Sequence, residues 1–196
     1  MNVVPRIKIG FLVYEGVEEM DLAGPWEVFG VAAEILPGAA ELYAFGRSMD
    51  PVRGNHGLRL VPDVPFGDAP DVDLLIIPGG RGRREAMKDA LTLRFLRERR
   101  PITERVASVC TGAFLLAEAG LLEGREATTH PRFLEELRGY AGVCVREERV
   151  VDAGDLLSAG GVACGIDLAL HLVGRIFGEG LRSSVAHEIC YRPPDS

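Results

Sequence analysis

A chain of 196 residues, 47% hydrophobic and 26% charged, is long enough to bury the core of one α/β domain. It contains no apolar run long enough to span a bilayer. A net charge of −7 argues against nonspecific binding to nucleic acid or to an anionic membrane surface. The four cysteines, Cys110, Cys144, Cys164 and Cys190, form no Cys-x-x-Cys and have no zinc-ligand spacing with histidine. The first residues lack the charged-then-apolar layout of a signal peptide. Reduced thiols in the cytoplasm are therefore expected.

Residues 7–14 read as a first buried strand. A helix is expected near Gly24-Pro25, with the proline in its first turn, and Pro37-Gly38 stops it. Residues 41–45 form a second strand. Gly54-Asn55-His56-Gly57 reads as a turn between short strands. Residues 73–77, Asp-Leu-Leu-Ile-Ile, form a strand buried on both faces that ends in Pro78-Gly79-Gly80. A helix over about 85–99 follows. Residues 106–109 are short and β-prone, and from Thr111 onward Ala113, Leu115, Leu116, Ala117 and Ala119 favour helix. Further on come a short strand at 127–129, a short helix at 133–137, a strand pair at 147–152 and 156–159, and helices at 165–177 and 182–189. Arg192-Pro193-Pro194 closes the chain. Strands alternating with helices imply a mostly parallel sheet with right-handed crossovers. No repeat, low-complexity segment or linker breaks the chain, so residues 1–196 read as a single domain.

Two arginine-rich stretches interrupt the acidic balance. One is Arg81, Arg83 and Arg84; the other is Arg94, Arg97, Arg99 and Arg100. The second shares a helix with Lys88, Asp89 and Glu98 and reads as a solvated face. No nucleic-acid or membrane partner is expected.

Ligands of open α/β sheets sit beyond the carboxyl ends of the strands. Three such ends stand out here: residues 14–21, Pro78-Gly79-Gly80, and Cys110-Thr111. Cys110 lies at the joint between strand and helix, the geometry of a nucleophile elbow, where a helix N-terminus favours thiolate. The residue pattern fits either an activated nucleophile or a buried structural thiol. Thr111 can offer a backbone N–H and a hydroxyl. The backbones of Gly79 and Gly80 can approach a ligand and form half of an anion hole, or simply a strand-to-helix turn. Asp21 is the leading carboxylate, either a proton carrier near the thiol or a helix-entry residue; Glu18 and Glu19 are adjacent alternatives. His130 is either a base, an orienting group or structural. His56, His171 and His187 have turn or helix-face readings. Cys144 and Cys164 read as core, and Cys190 as either partly exposed or at a subunit contact.

Taken together the motifs resemble the ThiJ/PfpI superfamily, across nearly the whole chain. Its pieces stand in order: Gly16-Val17-Glu18-Glu19-Met20-Asp21-Leu22; Gly24-Pro25 with Glu27-Val28-Phe29; Ile77-Pro78-Gly79-Gly80; and Ser108-Val109-Cys110-Thr111-Gly112-Ala113. After them come Ala119-Gly120-Leu121-Leu122, Gly124-Arg125, Ala127-Thr128-Thr129-His130, Ser158-Ala159-Gly160-Gly161 and Gly165-Ile166-Asp167-Leu168. The resemblance implies a three-layer α/β sandwich, a flavodoxin-like, class I glutamine amidotransferase-like fold. It is strongest to the isonitrile hydratase branch, which pairs Cys-Thr-Gly with an aspartate ahead of Gly-Pro. Carried over, Cys110 is the nucleophile, Asp21 its acidic partner and Thr111 a neighbour needed for activity. The reading of the residues themselves adds Gly79, Gly80 and His130 on the substrate and oxyanion side. The reaction implied is hydration of an isonitrile to an N-substituted formamide, in a homodimer, with no metal or organic cofactor.

Departures from the pattern matter. Pro131 follows the Thr-Thr-His run where an aromatic residue is usual, and Cys164 stands where a small or hydroxylated residue is usual. Thr111 occupies the position of the histidine in peptidase-like members, and His130 lacks the His-x-Glu pairing of glutaminases. Two rival readings follow from the same resemblance. The domain also heads AraC-type regulators as a ligand sensor, although this chain stops at Ser196 and is expected not to be a whole regulator; a free-standing sensor or thiol-oxidation switch remains in that class. Glyoxalase- or deglycase-like chemistry on aldehydes is the other, with a glutamate usual where Asp21 stands.

Overall fold

Strands and helices alternate through most of the chain in the computed structural model, which describes residues 6–192 and 194. Pro193, part of the expected chain-closing segment, lies outside the described residues. In chain order the first elements are β1 (Ile7–Leu12), α1 (Glu19–Ile35), β2 (Ala40–Gly46), β3 (Val52–Arg53), β4 (Arg59–Leu60), β5 (Val64–Pro65) and β6 (Leu74–Ile77). Then come α2 (Arg83–Ala86), α3 (Ala90–Arg99), β7 (Arg105–Val109), α4 (Ala113–Glu118), β8 (Glu126–Ala127), α5 (Leu134–Arg138) and β9 (Cys144–Val145). The last are β10 (Val150–Asp152), β11 (Leu156–Ala159), α6 (Cys164–Phe177) and α7 (Glu179–Glu188).

Seven strands form one sheet in the order β10-β11-β7-β6-β1-β2-β5. Every pairing is parallel except β10 with β11. The apolar run of β6 explains its central place, because side chains alternate between two covered faces. Leu74 and Ile76 pack with Phe29 of α1 and Leu172 of α6 on one side. Leu75 and Ile77 pack with Phe95 of α3 and Phe114 of α4 on the other. The result is the expected three-layer sandwich.

Several boundaries differ from the sequence reading. The first strand ends at Leu12, not at residue 14. α1 begins at Glu19, so Pro25 lies inside the helix rather than in its first turn. A proline there removes the helical bond to the carbonyl of Asp21. Its ring instead packs on Gly165 at the start of α6, so closely that a Cβ on Gly165 would lie 3.1 Å from Pro25 Cγ. Tertiary packing of α1 on α6 overrides the local break. The helix expected over 85–99 is two helices, because the Asp89 carboxylate accepts the Thr92 N–H at 3.2 Å and its hydroxyl at 2.7 Å, capping α3 afresh. The strand expected at 127–129 is only the two-residue β8, paired with β9 outside the main sheet.

The sheet's carboxyl edge is where backbones crowd. A Cβ on Gly79 would lie 2.6 Å from the Thr111 nitrogen, and one on Gly112 would overlap the Ile77 carbonyl oxygen. The ends of β6 and β7 are thus in backbone contact, and only glycine permits it. Gly112→Ala is expected to lower stability by roughly 1–3 kcal/mol in urea unfolding. An unchanged midpoint would deny the close approach.

Candidate active site

β7 delivers Cys110 to that crowded edge. A tight turn over Cys110–Gly112 then leads into α4. Cys110 has φ +56°, in the left-handed region. Such a conformation costs of order 1–3 kcal/mol outside glycine and persists only where the surroundings over-determine it. They do so here: Gly79 and Gly112 leave no slack on one side, and the Thr129 hydroxyl donates to the Cys110 carbonyl at 2.8 Å on the other. The thiol is thereby held at the wall of a cavity of about 470 Å³ while Cys110 stays 6% exposed.

Asp21, in the first turn of α1, is fully buried. Its Oδ2 accepts the Gly79 N–H at 2.9 Å, and its Oδ1 has no hydrogen-bond partner among the described residues. Burial raises its pKa to about 7; the Gly79 bond opposes the rise, the Glu18 charge adds to it, and the Cys110 thiol lowers it. Burial and then the Asp21 charge push the Cys110 thiol up to about 12, against the Thr111 N–H and hydroxyl. This corrects the expectation of a ready thiolate. The helix behind the elbow is only six residues long, and its field does not offset desolvation beside a carboxylate. The thiol rests protonated with a buried base next to it, and the two groups titrate as a coupled pair.

Thr111 is oriented by its neighbour. Its Oγ1 accepts the Gly80 N–H at 3.0 Å, which leaves its own proton free to point at sulfur. Both glycine N–H groups are therefore engaged within the protein. Gly79 holds Asp21 and Gly80 holds Thr111, instead of the two facing a ligand anion; Gly80 still lines the cavity, and Gly79 does not.

His130 also lines the cavity. Its Nδ1 accepts the Arg132 N–H at 3.2 Å, which assigns the ring proton to Nε2. Burial and then Arg132 lower its pKa, so it stands as a neutral donor. Glu18 lines the cavity too, with its Oε2 bonded to Asn55 Nδ2 at 2.7 Å. Glu19 turns away and secures the 54–57 turn through the His56 N–H at 2.7 Å. His171 is tied to Asp152 at 2.7 Å, on the helix face expected. Cys164 is buried and Cys190 exposed, as read, but Cys144 is exposed rather than core, because β9 sits in a two-stranded sheet at the periphery.

Sequence reasoning missed the cations. Arg81, Arg83, Arg84 and Arg132 all line the cavity. The available signal was position: three of them follow directly on the strand end at Gly79-Gly80, where ligands gather.

A doubly wound α/β sheet carrying a cysteine at a strand-to-helix elbow defines the class. The chain belongs to the DJ-1/PfpI family, whose model matches residues 7–175. It is 35% identical over 187 residues to an isonitrile hydratase of Pseudomonas putida, covering 95% of this chain and 79% of that one. A crystal structure of a ThiJ/PfpI family protein from Pseudomonas syringae matches with a TM-score of 0.89 at 34% identity, over 100% of this chain and 81% of that one. The HTH-type transcriptional regulator GbdR of Pseudomonas aeruginosa is 31% identical over 189 residues, which cover 93% of this chain but only 50% of the regulator. Among the described residues no helix is long and apolar enough to cross a membrane.

Proposed function

We propose that the protein hydrates a small-molecule isonitrile to an N-substituted formamide through a covalent adduct on Cys110. The observation that carries this reading is the strained Cys110 elbow held beside the buried Asp21 carboxyl at a cavity wall. The resemblance to the Pseudomonas putida hydratase over 95% of the chain supports it.

The chemistry follows from the pair. Asp21, ionised, takes the thiol proton as sulfur adds to the terminal carbon of R–N≡C. That carbon's lone pair then takes the proton back from Asp21, which gives the thioimidate R–N=CH–S–Cys110. Water adds to the same carbon, the C–S bond breaks, and the proton returns to sulfur. The sum is R–N≡C plus water giving R–NH–CHO. Thr111 donates to sulfur while it carries negative charge, and a neutral His130 offers its Nε2–H to the imidate nitrogen or the attacking water.

Incubation of the purified protein with cyclohexyl isocyanide, with formamide followed by chromatography, tests the reading. Formation of N-cyclohexylformamide is expected; none, across a series of alkyl and aryl isonitriles, would remove it. A second reading, ligand sensing, draws on the similarity to GbdR. It predicts saturable small-molecule binding without turnover, and the same incubation separates the two.

A further inference from the structure

The cavity in front of Cys110 has a charge character that the hydratase reading does not use. In a chain of net charge −7, Arg81, Arg83, Arg84 and Arg132 all line it. Arg83 is spent: its guanidinium is 4% exposed, bonded to Glu136 at 2.8 Å and stacked 4.0 Å over Phe114. Arg81, Arg84 and Arg132 are exposed, and none pairs with a carboxylate among the described residues. Elsewhere most surface arginines do pair; Arg94 with Glu98, Arg149 with Asp167 and Arg182 with Glu179 are examples.

Among the described residues the acidic side chain that lines the same space is Glu18, and Asp21 does not line it. Glu18 is turned to Asn55 at 2.7 Å and lies 3.5 Å from His56 Nδ1. Asp21 is buried behind the thiol. The mouth therefore presents three unpaired guanidinium groups over a concave wall, which concentrates field lines and raises the local concentration of anions. Guanidinium groups also match a carboxylate in two-point contact.

We infer that the cavity selects small molecules bearing an anionic group, in the simplest case a carboxylate held by Arg81, Arg84 and Arg132 while the reacting carbon meets Cys110. The substrate side of this rests on the hydratase reading and names its class: isonitriles that carry a carboxylate. The anion preference itself does not depend on that reading, and it is tested apart from it.

Two measurements separate these. In the first, Cys110 is alkylated with iodoacetate and with iodoacetamide at low ionic strength, and labelling of that residue is followed by peptide mass spectrometry. The ratio of the two rates cancels any change in thiol reactivity. Arg81→Ala/Arg84→Ala/Arg132→Ala is expected to lower the iodoacetate-to-iodoacetamide ratio about tenfold. Lys88→Ala/Arg94→Ala/Arg182→Ala, which removes as many surface cations elsewhere, is expected to keep it. A ratio unchanged in the first variant, or equally reduced in both, overturns the inference. In the second, isocyanoacetate is compared with its methyl ester by kcat/KM. Preference for the acid, lost in the Arg81/Arg84/Arg132 variant, supports the substrate class; equal rates for acid and ester overturn it. Absence of turnover with both compounds counts against the hydratase reading, and the alkylation ratio still decides the anion preference.

Discussion

Cys110→Ala is expected to abolish formamide production, by roughly ten-thousand-fold or more, while the protein stays folded. Removing the sulfur removes the atom that bonds to carbon, and among the described residues no other thiol lines the cavity. Cys164 is buried at the start of α6, and Cys144 and Cys190 lie on the surface. The backbone strain at φ +56° is the same for alanine as for cysteine, so the melting temperature is expected within a few degrees of the parent. Rapid-quench mass spectrometry gives an independent check. Addition of R–N≡C to a thiol loses no atoms, so the parent protein gains the full mass of the isonitrile and Cys110→Ala gains none. Cys110→Ser keeps the shape with a poorer nucleophile and is expected to be nearly as inactive. Turnover retained in either variant, or an adduct on another residue, would end the covalent mechanism.

How much of this was legible in the chain depends on whether a property is local. The change from Val106–Val109 to Ala113–Leu116 marks the Cys110 joint from propensity alone. The Leu-Leu-Ile-Ile run before Pro78 marks a strand buried on both faces, and alternation with helices marks a mostly parallel sheet, though not its strand order. What failed was tertiary. Pro25 reads as a helix start, yet α1 runs through it because the ring has Gly165 to pack against. Cys110 reads as an activated thiol by position, yet burial beside Asp21 raises its pKa, and burial is not written in a ten-residue window. The cationic mouth is assembled from Arg81, Arg84 and Arg132, which lie on both sides of the elbow in sequence and meet only once β6 pairs with β7 and Thr129 ties its segment to the Cys110 carbonyl. The cap at Asp89 is different: an acidic residue three positions before a threonine was readable, and it divides one expected helix into two.

Asp21→Asn is expected to make the protein both less active and more stable. The carboxyl's pKa stands near 7 in the fold and near 3.9 in an unfolded chain. Between those values the folded state keeps a proton that the unfolded state has released. Stability from this group is therefore fully present below about pH 4 and is lost as pH rises through about 7. The loss amounts to about 2–4 kcal/mol. Asparagine can keep the bond from the Gly79 N–H and carries no charge to desolvate. Compared with the parent at each pH, Asp21→Asn should gain stability at about pH 8 and little at about pH 4. Groups with lowered pKa, such as Asp89 and Asp152, contribute in the opposite direction, but equally in both proteins, so the difference isolates Asp21. Activity moves the other way. The base is competent only when ionised, so the parent's kcat/KM should rise with pH through about 7 and then level. The variant should lose about 10²–10⁴-fold, together with that rise. A carboxylate that the fold would hold more comfortably as an amide is the signature of a group kept for its proton. A variant with near-normal rate, or one destabilised at high pH, would instead make Asp21 a helix-entry residue whose work is to hold Gly79.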